Sequence, residues 1–203
     1  MTAIYHITHV GNLESVVKHG ALLCDNERKR LALDCESIAH QHIKDRRAQR
    51  LVPLPPGGTL LDYVPFYFGP RSPMLYSIHG GYVANHVEGQ RTVVHLVASA
   101  EGIADSGLDY VFTDGHAVIS YSEFFSDLKH LQRIDWEVMK AVYWHDTPDD
   151  GDRKRRRQAE FLVYNAVPWK QIMAIGVIAD DMAQRVKAAL SSWNQPLRPR
   201  PST

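Results

Sequence analysis

Short apolar runs, most of them three to seven residues long and separated by turn residues, organise this chain into alternating strands and helices. Ile4-Tyr5-His6-Ile7-Thr8 reads as a strand with His6 and Thr8 on one face and Tyr5 and Ile7 on the other. Asn12 then stands where a helix cap belongs, ahead of an apolar stripe of Leu13, Val16 and Val17, and Gly20 supplies the stop. From 25 to 50 the chain is charged, with Leu31, Leu33, Ile38 and Ile43 as apolar anchors, and predicts helix over part of its length. Pro53, Pro55, Pro56, Gly57 and Gly58 end that segment. A strand follows over Val64 to Phe68, and Gly69-Pro70 turns the chain. Ser72 and Pro73 then open a short helix through Met74, Leu75, Tyr76 and Ile78 that Gly80-Gly81 closes.

The second half continues in the same manner. Thr92 to Ala98 and Tyr110 to Thr113 predict strands, and the Ser120/Glu123 capping box predicts a helix over Phe124, Phe125 and Leu128. Asp135 caps a further helix through Val138, Met139 and Val142, and a polar loop runs from His145 to Arg157. Strands over 160 to 167 and Ile172 to Ile178 lead to a last helix, capped by Asp180 and carrying Met182, Val186, Ala189, Leu190 and Trp193. The mixture has no regular βαβ period and no internal repeat, so the fold class is α+β. One domain over 1–195 with a disordered proline-rich tail over 196–203 fits the length of 203 residues.

Composition adds mostly exclusions. Lys plus Arg (23) equals Asp plus Glu (23), so any nucleic-acid binding must rest on local patches. Two cysteines, Cys24 and Cys35, are too few for a disulfide framework, and no signal peptide or long apolar run is present; a reducing cytoplasm and no membrane partner are expected. Eleven histidines invite a metal, but HExxH and paired-cysteine motifs are missing, and His40 and His42 would point to different faces of a helix. No metal is expected. GxGxxG and GxxxxGK[ST] are also missing, which removes Rossmann and P-loop nucleotide sites.

Three stretches carry candidate chemistry. Five consecutive cations, Arg153 to Arg157, run into Gln158-Ala159 and then Glu160 at the head of the apolar strand Phe161-Leu162-Val163. A glutamate there faces desolvation, so it is either a salt-bridge partner of the basic run or a functional carboxylate in a cleft, with comparable weight on each. Arg46-Arg47 either coats a helix or aims a guanidinium inward to clamp phosphate or stabilise negative charge. The aromatics of the stretch Phe66 to Tyr76, next to Arg71, Ser72 and Met74, either fill the core or stack on a base or a nicotinamide ring.

Taken in order, Ile4 to His9 with Asn12-Leu13, Asp45-Arg46-Arg47, Pro55 to Gly58 with Asp62 to Phe68, Pro70 to Tyr76, and Gln158 to Tyr164 resemble the DarT family of toxins from DarT-DarG toxin-antitoxin pairs. The resemblance implies an ADP-ribosyltransferase fold with a split central sheet and an NAD cleft. It implies transfer of ADP-ribose from NAD to a thymidine ring nitrogen in single-stranded DNA, with release of nicotinamide. Arg47 and Glu160 would be catalytic; His6, Ile7, Thr8, Asn12, Leu13, Arg47 and Tyr67 would contact NAD; and Arg71, Met74, His116 and Lys154 would contact DNA. The implied partner is a DarG-type antitoxin with a macrodomain that removes ADP-ribose, and the implied assembly is a monomer. Alternatives are a transferase acting on guanosine, RNA or protein, or a non-catalytic nucleic-acid-binding module.

Overall fold

A computed structural model describes residues 1–83 and 89–191. The boundary expected at 195, the tail over 196–203 and Trp193 lie outside the described residues. In chain order the elements are β1 (Ala3–His9), α1 (Leu13–Lys18), β2 (Ala21–Leu23), α2 (Asp25–Arg30), α3 (Gln41–Gln49), β3 (Tyr63–Tyr67), α4 (Pro73–His79), β4 (Val93–Ser99), α5 (Ala100–Asp105) and β5 (Tyr110–Thr113). Then come β6 (Phe124–Phe125), α6 (Trp136–Lys140), α7 (Arg153–Arg156), β7 (Glu160–Tyr164), β8 (Ala166–Pro168), β9 (Ala174–Gly176) and α8 (Asp180–Ser191).

Seven of the strands form one antiparallel sheet in the order β6-β5-β7-β3-β1-β4-β9, and β2 pairs with β8 in a second, two-stranded sheet. The large sheet is divided at its middle. β1 matches β4 along seven residues but meets β3 only at Tyr5↔Tyr67. Pro65 explains the break: it has no N–H to donate, and its carbonyl accepts instead from His6 Nδ1 at 2.8 Å. The two halves are therefore β6-β5-β7-β3 and β1-β4-β9, and the strand ends at the seam are free to line a cleft. Ile4, Phe66, Leu96, Phe112 and Phe161 fill the core, each fully buried.

Local signals worked where side chain and backbone meet within a few residues. Ser72 Oγ accepts from Leu75 N with Pro73 in the first turn of α4, and Gly20 adopts φ 67° after α1. Other expectations fail for identifiable reasons. Phe124 and Phe125 form β6 rather than a helix, because Phe125 pairs with Phe112 and Glu123 is held by Asp114 and Arg133. Asn165, at φ 57°, splits the strand expected over 160–167 into β7 and β8. Asn12 precedes α1 but makes no capping bond, since its amide is engaged elsewhere. The strand expected over Ile172 to Ile178 shortens to β9, and Val142 lies beyond α6, exposed.

The basic run is a short helix, α7, rather than loop. Arg155 bonds Asp152 at 2.7 Å and Asp114 at 3.0 Å, and Arg156 bonds Asp135 at 2.5 Å and also pairs with Asp150. Arg157 is 4% exposed and pairs with no carboxylate among the described residues. It donates to the carbonyls of Val138 and Met139 at 2.5 Å and of Arg71 at 3.0 Å, fastening α6 and the start of α4 to the root of β7. Arg157→Leu strands those carbonyls, and a loss of about 2–4 kcal/mol is expected in chemical denaturation. An unchanged midpoint would show that the arginine is dispensable.

Candidate active site

Glu160 begins β7, opposite Tyr67 of β3, at the seam between the two half-sheets. Its backbone N–H donates to Thr113 Oγ1 at 3.2 Å, which sets the start of the strand. The carboxylate is 2% exposed, yet both oxygens are occupied. Oε2 accepts from Arg47 Nη1 at 2.6 Å. Oε1 accepts from Ala117 N at 3.0 Å and from His116 Nδ1 at 3.1 Å. Burial alone would raise the carboxyl; the Arg47 guanidinium and His116 outweigh it and hold its pKa down, to about 2. Because Glu160 is ionised, the Nδ1 of His116 must carry the proton, and in the neutral ring Nε2 is left as an acceptor.

Of the two readings of Glu160, the salt bridge to the run 153–157 does not form: its cation is Arg47, 113 residues away in sequence. The run acts on the site indirectly. Arg155 O accepts from His116 N at 3.0 Å, and Gly115 has no Cβ to obstruct the Arg155 guanidinium beside it. α7 thus places His116 against the carboxylate.

Arg47 comes from α3, a helix with no buried residue. Arginines, not apolar anchors, tie it down. Arg50 donates to Ala117 O and Ser120 O, each at 3.2 Å, Arg46 reaches Val118 O at 3.5 Å, and Arg47 Nη2 reaches Leu60 O at 3.4 Å. Sequence spacing offers no signal for these contacts, since every partner lies at least 13 residues away. The helix and the 117–120 loop hold one another, and Glu160 is trapped between them. His40 precedes α3 and its ring lies tilted beside that of His42, centres 5.3 Å apart, so the two do not point to separate helix faces.

A cavity of about 610 Å³ opens at this point, lined by His6, Ile7, Thr8, Asn12, Arg47, Tyr67, Met74, His116, Lys154 and Glu160. Those are ten of the twelve residues singled out from the sequence. Leu13 is not among them; its side chain is 1% exposed in the core beneath α1. Arg71 stands outside the cavity, exposed, with its carbonyl held by Arg157. Burial lowers the His6 pKa to about 4, so the ring is neutral, with Nδ1–H on Pro65 and Nε2 an acceptor. Tyr67 donates to Met74 Sδ at 3.6 Å, and burial with the nearby Glu160 charge raises its hydroxyl pKa above the usual phenol value.

Asn12 has a structural task that its sequence position did not suggest. Its Nδ2 donates to Thr8 Oγ1 and to Glu36 O, and its Oδ1 accepts from Glu36 N, all at 2.9 Å. The side chain copies one rung of a sheet and pins the segment leading into α3 across the cavity mouth.

The family model for the ssDNA thymidine ADP-ribosyltransferase DarT matches residues 5–203. The chain belongs to the DarT family. A DNA ADP-ribosyl transferase of Thermus sp. (strain 2.9) is 45% identical over 199 residues, which cover 98% of this chain and 92% of that protein. The structure of the Thermus sp. 2.9 DarT in complex with ADP-ribosylated ssDNA matches with a TM-score of 0.91 at 44% identity, over 98% of this chain and 92% of that one. The same protein in complex with NAD+ matches with a TM-score of 0.87 at 42% identity, over 98% and 93%. A DNA ADP-ribosyl transferase-DNA ADP-ribosyl glycohydrolase fusion protein of Thermosipho africanus is 29% identical over 201 residues, 98% of this chain and 48% of the fusion. The DarT chain is an α+β ADP-ribosyltransferase, as its sequence resemblance implied. Among the described residues no helix is long and apolar enough to cross a membrane.

Proposed function

We propose that this DarT protein transfers the ADP-ribosyl group of NAD to a thymidine ring nitrogen of single-stranded DNA, with nicotinamide leaving and one proton released. The observation that carries the reading is the buried, ionised Glu160 held between Arg47 and His116 on the wall of the cavity. NAD suits the donor set. Neutral His6 and the strand backbone at Ile7 and Thr8 offer hydrogen bonds to an uncharged amide, Tyr67 offers a ring to nicotinamide, and Arg28, Lys44, Arg46 and Arg47 supply charge for a pyrophosphate. On the other side of Glu160, Met74, His116 and Lys154 face the acceptor, and the exposed Arg71 extends that side outward to the phosphate backbone.

The chemistry follows from charge. As the bond to nicotinamide breaks, positive charge develops at the ribose carbon, and the ionised Glu160 stabilises it, accepting from a ribose hydroxyl. The attacking thymine nitrogen must lose its proton, and His116 Nε2, a free acceptor while Nδ1–H rests on Glu160, takes it. Arg47 keeps the carboxylate ionised until substrate enters and balances the negative charge on phosphate or on the thymine ring. Mass spectrometry of oligonucleotides that differ at one thymidine tests this: one ADP-ribosyl added only with NAD and only where the thymidine is present is expected, and modification independent of that base would overturn it.

The covering segment gives a separate expectation. Asn12→Ala removes three hydrogen bonds and loosens the segment around Glu36, so KM for NAD should rise about 10-fold while kcat falls less. A fall in kcat alone would show that Asn12 serves the chemistry rather than the cover. The toxin role and a partner that reverses the modification fit the Thermosipho africanus fusion, in which a transferase and a glycohydrolase share one chain. The protein is proposed to act as a monomer, and light scattering should give the mass of one 23.0 kDa chain.

A further inference from the structure

Outside the cavity wall, α4 and the segment after α6 bring three aromatic rings together. Trp144 is 8% exposed and stacks on His145 with ring centres 4.1 Å apart. Tyr76 meets both, edge-on, at 5.8 Å. Tyr76 is 51% exposed and His145 is exposed too, so neither ring is used to fill the core. Rings presented in this way are uncommon on a surface that only has to be soluble.

The platform is built, and it adjoins the cavity. Arg157 holds Arg71 O before α4 and the carbonyls of Val138, Met139 and Ala141 before Val142, so one buried guanidinium fixes both supports. Arg153 donates to Tyr143 O at 2.9 Å, and the Lys154 backbone N–H donates to Asp146 Oδ1 at 2.8 Å. Asp146 and Lys154 line the cavity, as do Met74 and Ser77 on the same helix as Tyr76. The Lys154 ammonium has no ion-pair partner among the described residues. Rings, an unpaired cation and continuity with the acceptor side match the chemistry of an unstacked nucleotide, an aromatic base joined to a phosphate.

We infer that Tyr76 and His145, backed by the buried Trp144, form a stacking platform for a base that flanks the modified thymidine in single-stranded DNA. The inference rests on the DNA reading of the cavity. It gives the strand a direction, from Lys154 at the cavity rim across the Tyr76 edge, and it holds the neighbour by its π-face whatever its sequence.

The experiment walks an abasic site along a thymidine oligonucleotide and measures KM for each position with the wild-type protein and with Tyr76→Ala. In the wild type, one flanking abasic position should raise KM by about 5- to 150-fold, the range of a lost stack. In Tyr76→Ala the complete oligonucleotide should show that rise and the abasic one little more, while Tyr76→Phe keeps the wild-type pattern. Should Tyr76→Ala not fold, His145→Ala reads the same coupling. Equal losses from the substitution at every abasic position would overturn the platform and leave the transferase reading intact. A wild-type protein that modifies no oligonucleotide would overturn the DNA reading itself.

Discussion

Glu160→Gln should lower the rate of DNA modification by about 10²- to 10³-fold with the protein still folded, measured as ADP-ribosyl transfer at saturating NAD and DNA. Glutamine keeps the shape but only one acceptor oxygen, so either Ala117 N or Arg47 keeps its partner and the other faces the amide NH2. What disappears is the negative charge that faces the developing cation, and with it the reason for His116 to hold its proton at Nδ1. The ring is then free to take the other tautomer, which withdraws the acceptor from thymine. Both losses act on the transition state, so kcat should fall with little change in KM for NAD. Wild-type kcat in Glu160→Gln would remove the carboxylate from the mechanism.

Arg47→Ala should be the most destabilising of these substitutions, by about 3–5 kcal/mol at neutral pH, because it leaves a buried carboxylate without its cation. The pH dependence separates this from simple loss of packing. In the wild type the Glu160 pKa is depressed from 4.5 to about 2, so its contribution to stability is complete above 4.5 and lost as pH falls toward 2. Without Arg47, burial is opposed only by His116 and Ala117, and the folded-state pKa rises. The stability gap between variant and wild type should therefore be widest near neutral pH and narrow between about pH 4.5 and 2. A gap that stays constant with pH would mean that Arg47 contributes packing alone. Arg47→Lys should recover much of the stability, since a point charge can approach Glu160, but it cannot also reach Leu60 O with a second donor.

What could be read from the sequence was governed by how far apart the interacting groups lie. The Ser72 cap and the Gly20 stop are decided within four residues, and both stand. Ser120 and Glu123 satisfied the same kind of local rule, and pairing of Phe125 with Phe112 overruled it. The identity of the pair at the centre was beyond local reasoning altogether. Glu160 has five cations just before it, yet its partner is Arg47; the residues alone named Glu160 and Arg46-Arg47 as separate candidates, and the ordered likeness of five blocks to the DarT family joined Arg47 and Glu160 as a pair. Asn12 looked like a cap and is a backbone mimic for Glu36, because the segment that needed holding lies 24 residues on. Tyr76 already stood in the aromatic stretch from Phe66 onward as a possible stacking group, whereas Trp144 and His145 gained meaning only when the fold brought them to it.

The internal use of the basic run also bears on which nucleic acids the DarT protein meets productively. Four of its five cations are committed to aspartates or to main-chain carbonyls, and the whole chain carries no net charge. A strand laid across this surface displaces few condensed counterions, so the entropy of ion release, which draws basic proteins to any duplex, contributes little here. Bulk double-stranded DNA, whose bases are stacked away, is then a poor competitor, and discrimination between paired and unpaired strands arises before any base is read.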